Sequence, residues 1–236
     1  MPIQTLVALA TYNEIETLPS LVDEIHKQLP DAHVLVVDDN SPDGTGQWCE
    51  QSSLQHDWFF HLPRPGKLGL GTALEGALQF GVQHEYAHVI TLDADWSHPP
   101  SALPAMVEAA RRADVVIGSR YCPGGGIEGW PLRRRIASRI MNRATRLFVG
   151  LPLTDCTGNY RLYGASQLKR LKWDSLQCEG YAYLEEILFA LHRQDAKFAE
   201  VPIIFTDRQA GESKINFAEI LGAAKVLGRL ALRRLT

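Results

Sequence analysis

Cysteine is scarce: only Cys49, Cys122, Cys156 and Cys178 occur in 236 residues, and no two stand in C-x-x-C spacing. The sequence therefore signals neither a zinc site nor a disulfide framework, and scattered reduced thiols in a cytosolic protein are expected. No apolar run approaches the ~20 residues needed to cross a bilayer, so no membrane span is expected. The start, Met1-Pro2-Ile3-Gln4-Thr5, has no basic region ahead of its first strand-like segment, which argues against a secretory signal. A net charge of -3 gives no reason to expect nucleic-acid binding. Two common nucleotide motifs are also missing. The segment Arg64 to Ala73 does not fit a Walker A loop, and Gly69-Leu70-Gly71 lacks a third glycine at Leu74.

What remains is ordinary globular composition, 45% hydrophobic and 22% charged, at a length that suits one large α/β domain. Strand-like and helix-like segments alternate through the first half. Strands are expected at 6–9, 34–37, 58–62, 87–92 and 114–118, with helices at 17–28, 45–53, 72–83 and 100–112. This alternation predicts a mainly parallel central sheet with helices on both faces. The second half is less regular: a basic segment at 133–150, a loop-like stretch at 155–161, a helix at 184–193, a strand at 199–205 and an amphipathic helix at 216–234. The expected division is a nucleotide-binding half, about 1–118, and an acceptor-handling half, about 119–236, within one domain.

Two acidic clusters stand out, each directly after a buried-strand pattern. Val34-Leu35-Val36-Val37 leads into Asp38-Asp39-Asn40-Ser41-Pro42-Asp43-Gly44, and Val89-Ile90-Thr91-Leu92 leads into Asp93-Ala94-Asp95. In an open α/β sheet the carboxyl ends of the strands are where ligands bind. Asp93 and Asp95 are two apart, so an extended backbone points both the same way. Paired carboxylates there suit a hard divalent cation holding a phosphorylated substrate. The plainer alternative is a capped loop before the helix at Pro100, with His98 a loop residue. Asp43-Gly44 is ordinary turn chemistry, whereas adjacent Asp38 and Asp39 need partners for two like charges.

Other segments read two ways as well. Thr11-Tyr12-Asn13-Glu14 is a turn and helix start, yet at a ligand edge Tyr12 can stack on a base and Glu14 can hold a ribose. Lys67 among glycines before a helix suits phosphate contact. Gly118-Ser119-Arg120-Tyr121 puts a guanidinium at the same edge. Arg133, Arg134, Arg135, Arg139, Arg143 and Arg146 alternate with apolar residues, which is either a solvated helix face or a surface for anionic headgroups. Arg208 to Lys214 is an exposed turn or a cationic lid.

In this order these motifs, together with Gly124-Gly125-Gly126, Ser138, Asn142 and Gly180-Tyr181, resemble glycosyltransferase family 2, and within it the dolichyl-phosphate (polyprenyl-phosphate) mannose synthase group. The resemblance implies a GT-A fold and inverting transfer of mannose from GDP-mannose to a polyprenyl or dolichyl phosphate. It implies nucleotide-sugar contacts at Thr11, Tyr12, Glu14, Asp39, Lys67, Asp93, Ala94, Arg208 and Lys214. Mg²⁺ or Mn²⁺ is expected on Asp93 and Asp95, with Ser97 where some members carry a glutamine ligand. Arg120, Arg134 and Ser138 are the expected acceptor-phosphate residues, and Asp95, Arg120 and Arg134 the catalytic ones. The chain departs from the family at Ala10, usually proline, and at Thr157-Gly158-Asn159-Tyr160-Arg161, more commonly Thr-Ser-Gly-Phe-Arg.

A phosphate monoester has a second pKa of about 6, so the acceptor is already an anionic nucleophile at neutral pH and needs no general base. Rival readings are a UDP-glucose donor, a saccharide hydroxyl acceptor with Asp155 or Glu185 as base, and a non-catalytic nucleotide-sugar or membrane-surface binding module. The expected setting is peripheral, on the cytosolic face of a membrane, with access through amphipathic helices or a membrane-anchoring subunit.

Overall fold

Four short apolar runs, β1 (Thr5–Thr11), β2 (His33–Asp38), β3 (Phe59–Pro63) and β4 (His88–Asp93), lie side by side as parallel strands. A computed structural model describes residues 5–176, 180–207 and 228 of the chain. The sheet has seven strands in the order β3-β2-β1-β4-β7-β5-β8, completed by β5 (Val115–Ser119), β7 (Arg161–Gly164) and β8 (Phe198–Pro202). Only β7 runs antiparallel to its neighbours, β4 and β5. A separate parallel pair joins β6 (Gly126–Glu128) to β9 (Ile204–Thr206).

Helices α1 (Leu18–Gln28), α2 (Thr45–Gln55), α3 (Leu70–Gln83) and α4 (Leu103–Ala109) connect the first strands. Then follow α5 (Leu132–Val149), α6 (Ala165–Leu168) and α7 (Tyr183–His192). Strand alternation divides the core in two. Leu6, Ala8, Leu35 and Val37 face a cluster built with α3 and α7, while Val7, Leu9, Val34 and Val36 face one built with α1 and α4. Both faces are therefore covered, which is why these strands read as continuous apolar runs rather than alternating ones.

The chain winds from β1 through β2 to β3 on one side and starts β4 on the other. That reversal opens a crevice beyond the carboxyl ends of β1 and β4, the usual ligand position of such sheets. In register, Thr11 lies beside Asp38 and Ala10 beside Asp93, so both acidic clusters reach this one edge.

Three expectations on elements are corrected. The helix expected at 100–112 is a 3-10 turn, Pro100–Ala102, followed by the short α4, because prolines occupy the first turn of each. The strand expected at 199–205 splits at Ile203: β8 pairs with β5 and β9 with β6, and Pro202 closes the first ladder. The stretch expected to be loop-like ends as β7, inserted between β4 and β5. The expected closing helix at 216–234 lies outside the described residues. No helix among those described is long and apolar enough to cross a membrane.

Candidate active site

Three successive backbone amides fasten the loop after β1 to the loop after β2. Asn13 N donates to Ser41 Oγ (2.9 Å), Glu14 N to Thr45 Oγ1 (3.1 Å) and Ile15 N to Asp43 Oδ2 (3.1 Å). Asn13 and Asn40 take positive φ angles of 63° and 58°, a conformation asparagine tolerates better than most residues. Thr11 Oγ1 donates to Asp38 Oδ1 (2.8 Å), and Ser41 donates to the same carboxylate from both N and Oγ. Asp38 is thus spent on the frame, and Thr11 is buried holding it.

Asp39 pairs with Arg64 across 2.7 Å. Burial raises the Asp39 carboxyl above its ordinary range, while Arg64 and the amides of Leu68 and Gly69 pull the other way. The two adjacent charges accordingly have separate partners, and Asp39 ties the tip of β2 to the glycine loop. In that loop Lys67 Nζ sits 4.5 Å from the centre of the Tyr12 ring. Gly71, in the first turn of α3, is required by crowding: a Cβ there would stand 2.8 Å from Tyr183 Cβ and 3.1 Å from Gly180 O.

Beyond β4 the backbone bends, so Asp93 and Asp95 are not related by the strand alternation expected from their spacing. β4 ends at Asp93, and Trp96 turns the chain with φ 62°. Thr17 Oγ1 holds Ala94 O (2.9 Å), and Ser97 N donates to Asp95 Oδ1 (3.1 Å). His98 is fully enclosed. Its Nδ1 accepts the Asp93 amide (3.1 Å), and burial pushes its imidazole towards the neutral form, so its approach to the Asp93 carboxylate at 3.8 Å is not an ion pair. Asn159 Nδ2 donates to Asp93 Oδ1 (2.9 Å).

The residues fit a hard divalent cation. Asp95 is bonded to Ser97 and Asp93 to Asn159, residues whose own side-chain oxygens are buried without a hydrogen-bond partner among the described residues. Those described residues contain no group of three His, Cys, Asp or Glu able to hold a metal alone. A cation here would therefore rely on Asp93 and Asp95, with the remaining positions left to Ser97, water or substrate oxygens.

The residues expected to hold the acceptor phosphate gather around one aromatic. Arg134 lies over the Trp130 ring at 3.8 Å, and the Arg120 guanidinium is 5.7 Å from the same ring. Tyr121 OH donates to Ser138 Oγ (2.7 Å), bringing Ser138 to this cluster. Arg134 Nη1 and Trp130 Nε1 both reach Asp207 Oδ1 at 3.2 Å. Asp207 immediately precedes Arg208. Arg208 and Lys214 lie outside the described residues.

Sequence reasoning missed what holds Arg120. Asp155, fully buried, accepts from its Nε and Nη2 at 2.7 Å each and from its backbone N at 3.0 Å. Thr157 Oγ1 accepts from Nη2 as well (2.8 Å). Burial alone would raise the Asp155 carboxyl, but the Arg120 guanidinium outweighs it and holds the carboxyl below its usual value. A side chain so engaged is not a general base. The signal available in sequence was only that a buried arginine needs a carboxylate, and many were on offer.

Glu185, the other carboxylate considered as a base, is enclosed in α7, with Oε2 unpaired among the described residues and its pKa raised to about 7 by burial, against a smaller opposing effect of Arg161. Its contribution to stability is complete below its unfolded value near 4.5 and is lost as pH rises through about 7. Thermal melts from pH 4.5 to 8.5 should show Glu185→Gln flattening this decline and gaining up to about 3 kcal/mol at the alkaline end. Parallel pH profiles for the two proteins would contradict it.

Arg120 also borders an open cavity of about 900 Å³, lined with it by Tyr121, Arg139, Asn142, Arg143 and Arg146 among others. The outward side of α5 exposes Leu132, Ile136, Ile140, Leu147 and Phe148.

Residues 6–171 match the family described as glycosyl transferase family 2. An undecaprenyl-phosphate mannosyltransferase of Micrococcus luteus is 40% identical, over 94% of this chain and 91% of that protein. A polyprenol monophosphomannose synthase of Mycolicibacterium smegmatis is 36% identical, over 92% and 83%. In fold, the chain superposes on glucosyl-3-phosphoglycerate synthase of Mycobacterium tuberculosis, solved with Mn²⁺, uridine diphosphate and glucosyl-3-phosphoglycerate. The TM-score is 0.67 at 19% identity, covering 98% of this chain and 79% of that one.

Proposed function

Because the chain belongs to glycosyl transferase family 2, we propose that it transfers mannose from GDP-mannose to a polyprenyl phosphate, with inversion, giving polyprenyl β-mannosyl phosphate and GDP. The observation that carries this reading is the meeting, at one sheet edge, of a carboxylate pair suited to a cation and an arginine cluster suited to a phosphate. Likeness over more than nine-tenths of the chain to two polyprenyl-phosphate mannose transferases supports the sugar and the acceptor class. The donor half, about 1–118, supplies the frame of Thr11, Tyr12, Glu14, Asp39 and Lys67 for the nucleoside and Asp93, Ala94 and Asp95 for the diphosphate. The acceptor half, about 119–236, supplies Arg120, Arg134 and Ser138, with Arg208 and Lys214 as further cations for the phosphates.

A bound Mg²⁺ or Mn²⁺ supplies charge neutralisation for the diphosphate leaving group. Asp93 and Asp95 would hold it, helped by Ser97. Arg120 and Arg134 orient the acceptor phosphate by charge-assisted bonds and offset its repulsion from the donor. The acceptor oxygen arrives ionised, so no side chain has to remove a proton. With Asp155 committed to Arg120, a saccharide-hydroxyl acceptor has lost one of its two candidate bases.

α5 supplies the approach to the lipid. Its exposed apolar residues suit the acyl boundary, and Arg139, Arg143 and Arg146 beside them suit anionic headgroups. Each basic residue near such a surface is worth about 1 kcal/mol, so replacing all three by glutamine should weaken binding to phosphatidylglycerol vesicles by roughly 100-fold. Vesicle sedimentation at low salt measures this; equal binding by both proteins would remove α5 from the membrane contact.

The function itself is tested with pure protein, Mn²⁺, a short polyprenyl phosphate in detergent, and GDP-mannose or UDP-glucose in parallel. Mannosyl lipid from GDP-mannose alone is expected. Product from UDP-glucose alone would overturn the donor but keep the chemistry, and product only with saccharide acceptors would overturn the acceptor.

A further inference from the structure

Asn159 lies in the loop before β7, nearly fully buried, and its two ends are treated unequally. Its Nδ2 donates to Asp93 Oδ1 at 2.9 Å, while its Oδ1 has no partner among the described residues. The orientation follows from chemistry: turning the amide over would set its oxygen against a carboxylate oxygen, repelling where it now donates. Its backbone is fixed independently, because Thr91 Oγ1 donates to Asn159 O at 2.8 Å. Arg161 adds to that frame by donating to Gly158 O and Cys156 O at 2.7 Å and to Leu184 O at 2.6 Å. A side chain kept only for packing would not leave one buried polar end empty. The empty oxygen makes sense if the nitrogen is what the site needs.

We propose that Asn159 is a positioning residue for the cation site: its amide clamps Asp93 Oδ1 and so fixes the orientation of the carboxylate that would hold the ion. It rests on the reading that Asp93 and Asp95 hold a divalent cation. Asp93 is then held at both ends, its backbone N–H by His98 and its carboxylate by Asn159. Hydrogen-bonded neighbours of this kind orient metal ligands and typically set affinity by 10- to 100-fold. Clamped, Asp93 does not have to give up rotational freedom when the ion arrives.

The test is Mn²⁺ binding, followed by electron paramagnetic resonance of free Mn²⁺ with and without GDP, beside thermal melts of the same samples. For wild type, saturable binding lost in Asp93→Ala is expected. Asn159→Ala should bind Mn²⁺ at least tenfold more weakly with a melting temperature close to wild type, because its backbone bond and its unpaired oxygen give it little to lose. Asn159→Ser, too short to reach Asp93, should match it and stands in if the alanine variant folds poorly. Wild-type affinity in both folded variants would overturn the positioning role while leaving the cation reading intact. Absence of saturable binding in wild type, even with GDP, would overturn the cation reading and this inference with it.

Discussion

Asp95→Ala is expected to lower mannosyl transfer by about 10³-fold or more, a loss on the order of 4 kcal/mol in the transition state. Asp95 is buried and accepts a backbone hydrogen bond from Ser97 N. On the proposed mechanism the carboxylate would act by holding the cation that neutralises the leaving diphosphate. Initial rates at saturating donor and acceptor, with Mn²⁺ varied, measure it. If raising Mn²⁺ brought the variant back within tenfold of wild type, Asp95 would be a minor ligand and Asp93 would carry the site.

Asp155→Ala should be the most damaging change to the fold, costing about 3–5 kcal/mol, because it strands a buried guanidinium. Arg120 would lose both bonds made by its side chain to that carboxylate and a third through its backbone. The same pair dictates a pH signature. Since Asp155 is held below its ordinary value near 3.8, its stabilisation is complete above that value and is lost only as pH falls further, through the folded pKa. Urea unfolding at pH 7 and pH 3 measures both parts. A cost under 1 kcal/mol at pH 7 would mean that Arg120 finds another partner, and the geometry of the acceptor cluster would need revision.

The first half was the more legible part of the sequence because its strands are apolar runs and its carboxylates follow them directly. β1, β2 and β4 end where their acidic residues begin, so strand end and ligand edge were read together. The second half hid itself for physical reasons. β7 is four residues long and opens on Arg161, a fully buried arginine satisfied by three carbonyls, which no hydrophobic pattern discloses. Asp155 and Asn159 act through residues brought near by that antiparallel strand, across separations of 35 and 66 positions. His98 read as a loop residue, and only the fold shows it seated under Asp93. The spacing of Asp93 and Asp95 suggested strand alternation, whereas a bend after β4 places the second.

Isotope labelling of the acceptor tests the central claim, that the lipid phosphate itself attacks the sugar. Polyprenyl phosphate carrying ¹⁸O in its non-bridging oxygens would be incubated with unlabelled GDP-mannose and Mn²⁺. Mass and NMR spectra of the lipid product should then show every label retained, a mannose in the β configuration, and unlabelled GDP. Label lost from the lipid, label appearing in GDP, or an α-linked product would contradict direct inverting attack by the phosphate.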